Sequence, residues 1–155
     1  MKTEIKLVEL EKRIKACQRC PLRQEATAPV PGLLNLGSKY FLIGEAPGKE
    51  EDKYGVPFIG HAGRKLNELL ELAGIDMNEC SLDNIVKCRP PKNRDPRKAE
   101  IRACTPWLFE AIRLVQPENL ITLGRFPLSL FSPYGIRALH GTSFVVEIPE
   151  VGEAI

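Results

Sequence analysis

Tyr40-Phe41-Leu42-Ile43-Gly44-Glu45-Ala46-Pro47-Gly48 is the stretch on which the fold turns. Tyr40 to Ile43 are aromatic and branched apolar residues, the composition of a short buried strand. Gly44 then opens a turn bounded by a second glycine, Gly48, and stiffened by Pro47. In an open α/β sheet, ligands bind beyond the carboxyl ends of the strands, where such turns expose backbone amides. Taken alone the turn is a modest signal, because many α/β sheets carry one for purely structural reasons.

Working outward from this strand, elements of the two kinds alternate. Upstream, Leu7, Leu10, Ile14 and Cys17 fall at helical spacing, so an amphipathic helix runs into Cys17 and Pro21 stops it. Residues 26–39 are rich in proline, glycine and small residues and read as a long loop. Downstream of the turn comes a charged loop, then a helix marked by Leu66, Leu69, Leu70 and Ala73 and closed by Gly74. Asn84–Val86 suggests another short strand, with Cys88 at its end, and Arg89-Pro90-Pro91 a rigid loop. Asp95 and Pro96 suit the cap and first turn of a further helix, which Pro106 should kink or restart. Leu120–Leu123 reads as a strand ended by Gly124, and Phe144–Ile148 as a last candidate strand. The alternation predicts an α/β fold with a mostly parallel central sheet in one domain over residues 1–155.

The chain has 155 residues, 43% of them apolar and 27% charged, enough for a single buried core. Nothing approaches the roughly 18 consecutive apolar residues needed to span a membrane. The charged opening, MKTEIKLVELEKR, lacks the apolar core of a secretory signal, so the expected compartment is the cytoplasm. Net charge is only +2, but its distribution is uneven. Lys87, Arg89, Lys92, Arg94, Arg97, Lys98 and Arg102 crowd one stretch against only Asp95 and Glu100. That is what a phosphate-contacting surface needs, although on charge alone a solvated face is the commoner explanation.

Five cysteines stand at 17, 20, 80, 88 and 104. A Cys-x-x-Cys pair presents two thiolates from one turn, and two distant cysteines, Cys88 and Cys104, complete a four-thiolate set for zinc or an iron–sulfur cluster. Spacing does not choose between these metals. Cys80, expected in a helix-to-strand loop, is a bystander. Residues 57–63 (PFIGHAG) precede a helix whose first amides suit an electron-rich ligand. Phe58 there could stack on a planar base, or equally fill the core. Asn84 offers an amide donor and acceptor, enough to read an imide edge; otherwise it is an ordinary turn residue.

In their order and spacing, Cys-x-x-Cys, GEAPG (44–48), PFIGHAG (57–63), NIVKCRPPKNR (84–94) and a cysteine on the following helix resemble the family 4, iron–sulfur uracil-DNA glycosylases. The resemblance covers roughly residues 14 to 150. It implies a three-layer α/β/α fold and a DNA repair enzyme that flips uracil out of DNA and hydrolyses its N-glycosidic bond. It also implies a [4Fe-4S] cluster on Cys17, Cys20, Cys88 and Cys104, structural rather than catalytic, with zinc as the alternative. Carried over by position, Glu45 and Ala46 frame the uracil pocket, Phe58 stacks on the base and Asn84 bonds its imide edge. Glu45 and Asn93 place water or substrate, and Lys87, Arg89, Lys92, Arg94 and His140 face DNA, His140 standing where the family commonly has arginine. The expected partner is uracil-containing DNA, met by a monomer. The family usually continues into another strand, a His-Pro loop and a final helix. Neither His61 nor His140 is followed by proline, so the chain reads as C-terminally shortened, with a catalytically silent nucleic-acid-binding homologue or fragment as the rival reading.

Overall fold

The computed structural model describes residues 1–148. Helix α1 (Lys2–Lys15) is followed by one turn of helix, α2 (Leu22–Glu25), and then by the extended 26–39 segment. The sheet is built from β1 (Tyr40–Gly44), β2 (Cys80–Asn84) and β3 (Asn119–Thr122), ordered β2-β1-β3 with both pairings parallel. Between β1 and β2 lie α3 (Lys49–Tyr54) and α4 (His61–Leu72); α5 (Lys98–Val115) links β2 to β3, and short helices α6 (Arg125–Ser129) and α7 (Ile136–Leu139) follow.

The period-two alternation of β1 explains the layering. Phe41 and Ile43 point to one face and join Leu10 and Ile14 of α1 and Trp107, Leu108, Ala111 and Ile112 of α5. Leu42 points to the other face, where it meets Leu66 and Leu70 of α4. All three β1 residues are essentially inaccessible, and burial of each side chain contributes about 1.5–3 kcal/mol. The expected α/β/α sandwich is the observed one. Among the described residues, no helix is long and apolar enough to cross a membrane.

Several boundaries differ from expectation. β2 runs Cys80–Asn84 rather than Asn84–Val86, so Asn84 closes the strand and Cys88 lies four residues beyond it. Cys80 therefore sits inside β2, buried in the α4-side cluster, apart from the other cysteines. The charged segment after the GEAPG turn is not a loop but α3. Asp95 does not cap α5; Arg97 occupies that position, and Glu100 three residues on accepts its backbone N–H at 2.7 Å. α5 continues through Pro106, because a proline removes one helical hydrogen bond without reversing the burial of the apolar stripe around it. Phe144–Ile148 forms no strand. The point after Ile148 where the family's next strand would begin lies outside the described residues.

Candidate active site

Gly44 and Asn84 are partners in the parallel register of β1 and β2, so both strands end at the same level. Beyond them the turn after β1 and the loop before α4 form the walls of a cleft lined by Glu45, Ala46, Phe58, Asn84 and Asn93. The closeness of three of these elements can be measured on Gly44. A Cβ at this position would stand 2.5 Å from Asn84 Oδ1 and 2.7 Å from Phe58 Cζ. Only glycine fits between the carboxamide and the ring.

Phe58 is held in an unusual backbone state, with φ at +58°, a left-handed conformation costly for a bulky residue. Two neighbours keep it there. Gly63, in the first turn of α4, leaves room for the Phe58 carbonyl, which a Cβ would approach to 1.7 Å. Glu51 of α3, buried, accepts the Gly60 N–H at 2.7 Å through Oε1 and the Gly48 N–H at 3.1 Å through Oε2. One carboxylate thus clasps the turn after β1 to the loop that carries Phe58. Sequence reading missed Glu51, although a glycine followed three residues later by glutamate at a helix start is half of a capping box.

Glu45 sits at the rim, half-buried. Burial first, then the nearby Asp95, pushes its carboxyl above the ordinary carboxylate range, against an opposing pull from Arg125. Asp95 and Arg125 are themselves ion-paired. Asn93 is exposed, with φ at +55°, and its Oδ1 accepts the Arg89 Nε–H at 2.7 Å.

The expected DNA-facing set divides. Lys87 is 2% exposed, so it cannot reach a phosphate; it lies in the interior against Asp83. Arg94 gives a two-pronged bond to Glu100, at 2.9 and 2.7 Å, which fixes the loop and leaves less charge for an outside partner. Lys92 is exposed beside the cleft loop, whereas His140, also exposed, caps α7 and does not line the cleft.

On the other side of β2, Cys17, Cys20, Cys88 and Cys104 line one small recess together with Arg23. Burial, then Cys104 and Cys20 beside it, push the Cys88 thiol up to about 12. The Cys104 thiol is pushed to about 11, chiefly by burial. Sulfurs that hinder one another's ionisation in this way are a donor set that a bound cation would relieve. Two N–H groups already point at them, Trp107 Nε1 at Cys17 Sγ (3.4 Å) and the Lys87 amide at Cys104 Sγ (3.3 Å). As placed, however, no three His, Cys, Asp or Glu side chains among the described residues converge on a point that would hold a single ion.

With this geometry in place, relatives become informative. Residues 31–152 match the family model for the uracil DNA glycosylase superfamily. The type-4 uracil-DNA glycosylase of Sulfurisphaera tokodaii is 38% identical over 151 residues, covering 93% of this chain and 69% of that protein. The chain belongs to the type-4 uracil-DNA glycosylases. The family's Thermotoga maritima member is 42% identical over 84% of this chain and 69% of its own length. The Saccharolobus solfataricus member is 44% identical over 75% of this chain and 54% of its own. The chain therefore spans between about half and two thirds of the length of these type-4 glycosylases.

Proposed function

We propose that this chain excises uracil from DNA by hydrolysing the N-glycosidic bond of a flipped deoxyuridine. The observation that carries the reading is the convergence of the Asn84 carboxamide, the Phe58 ring and the side-chain-free Gly44 at the carboxyl ends of two neighbouring parallel strands. The slot has one planar wall and one donor–acceptor edge, which suits a pyrimidine imide.

A base stacked in duplex is out of reach, so the nucleotide is extruded, at a cost of a few kcal/mol. Phosphate contacts from exposed cations such as Lys92 offset part of that cost. Phe58 stacks on the extruded ring. Asn84 reads its edge, and cytosine is disfavoured because its exocyclic amine reverses the donor–acceptor pattern. Bond breaking leaves positive charge on the sugar and negative charge on uracil. Preorganised amides and Asn84 stabilise the uracil oxygens, and an ionised Glu45 at the rim faces the sugar side and orients water, with Asn93 nearby.

The same reading assigns Cys17, Cys20, Cys88 and Cys104 to a [4Fe-4S] cluster. Four thiols around one recess suit it. Zinc, held by the same four thiolates in a tetrahedron, is the alternative occupant, and the iron content of the purified protein distinguishes the two. Its contribution would be structural, tying the segment after α1 to α5 and to the loop beyond β2.

The test incubates purified protein with single- and double-stranded oligonucleotides bearing uracil, cytosine or thymine at one position, followed by cleavage at abasic sites. Strand scission confined to uracil is expected, together with about four irons per chain that fall in Cys88→Ala. A chain that binds these oligonucleotides without scission overturns the enzymatic reading, and full iron loading in Cys88→Ala removes that residue from the ligand set.

A further inference from the structure

Lys87 is the least expected feature of the interior. β2 is an edge of the described sheet, and its outward-facing backbone groups need partners that no further strand supplies. Leu82 finds them in Leu33, which exchanges both backbone hydrogen bonds with it at 2.8 Å. Among the described residues, Asn84, two residues on, has no such neighbour. Its N–H donates to Asp83 Oδ1 at 2.8 Å, and its C=O accepts from Lys87 Nζ at 2.6 Å. Lys87 Nζ also donates to Asp83 Oδ2 at 2.9 Å, which closes the circuit. The two side chains are 2% and 1% exposed, and Gly32 packs so tightly over Asp83 that a Cβ would stand 2.8 Å from its Cγ.

We propose that Lys87 is a positioning residue for base recognition: with Asp83 it grips both backbone polar groups of Asn84 and so fixes where the Asn84 carboxamide enters the pocket. This rests on the uracil-pocket reading above. A buried ion pair is a poor device for stability alone, because desolvation of the two charges consumes much of their attraction. Here the pair holds the strand residue whose carboxamide, like the Phe58 ring, closes in on Gly44. The Lys87 backbone has a second assignment, its N–H on Cys104 Sγ and its C=O accepting from Val30 at 2.7 Å. One residue therefore joins the cysteine recess to the pocket.

The decisive variant is Lys87→Met, which keeps the side-chain stem and the amide on Cys104 but removes the ammonium. Its kcat for uracil release should fall roughly tenfold or more, with KM for the oligonucleotide and iron content unchanged, since a small misplacement of a recognition group acts on the transition state. The orphaned Asp83 carboxylate could unfold that variant. The Asp83→Asn/Lys87→Met double variant removes the stranded charge, so its melting temperature should recover while kcat stays low. Wild-type kcat in the double variant would show the pair to be structural only. On the unaltered protein, the Asn84 amide should exchange with deuterium slowly despite its place on an edge strand; free exchange would rule out the grip whatever the variants do. If the unaltered chain releases no uracil, the pocket reading fails, and the exchange measurement still judges the grip.

Discussion

Gly44 and Asn84 face each other across β1 and β2 with no space for another carbon, the would-be Cβ of Gly44 lying 2.5 Å from Asn84 Oδ1. Gly44→Ala should therefore displace the carboxamide and the Phe58 ring together. The backbone of β1 is extended there and tolerates alanine, so the fold and the iron content should persist. Uracil release should drop about 100-fold, the scale of losing one preorganised donor. A variant as fast as the parent would mean that the slot beside Gly44 holds no substrate.

Glu51 is expected to matter as much as residues that touch the base. Glu51→Ala leaves two amides without their acceptor, a cost of about 1–3 kcal/mol for each buried group so exposed, and releases Phe58 from its left-handed conformation. Thermal unfolding and uracil release should both suffer. Glu51→Gln, which retains one acceptor oxygen, should fall between parent and alanine. Equal melting temperatures for all three would exclude the clasp.

The pH dependence has a definite sign. Glu45 acts as a carboxylate in this account, and its folded pKa is raised, first by burial and then by Asp95. Activity should be complete at high pH and lost as pH falls through that raised value. The acid limb of kcat/KM therefore lies above 4.5, the ordinary value for the group. Asp95→Asn should move this limb to lower pH, and Arg125→Ala to higher pH. Shifts in the opposite directions would assign the limb to another residue.

Much of this was legible in the chain itself. β1 and its turn were readable because a continuous apolar run met glycine and proline, both local signals. The site residues Glu45, Ala46, Phe58, Asn84 and Asn93, named from motif order, do line one cleft. β2 was misplaced because Ser81 and Asp83 interrupt its apolar pattern. They are buried polar residues whose partners lie elsewhere, Ser38 for Ser81 at 2.8 Å and Lys87 for Asp83. Lys87 was misread for the same reason, since a lysine in a basic run gives no hint of an interior carboxylate. α3 escaped because KEEDKY has no apolar period; its one inward side chain, Glu51, is charged.

Asn84→Ala puts the central claim to its most direct trial, with single-turnover release of uracil from a duplex oligonucleotide as the measured rate. The rate should fall by about 10²–10³, as for loss of a preorganised hydrogen-bonding group, while the visible absorption expected of the proposed cluster stays at the parent level. An undiminished rate in a folded, iron-loaded variant would contradict the assignment of this cleft to uracil.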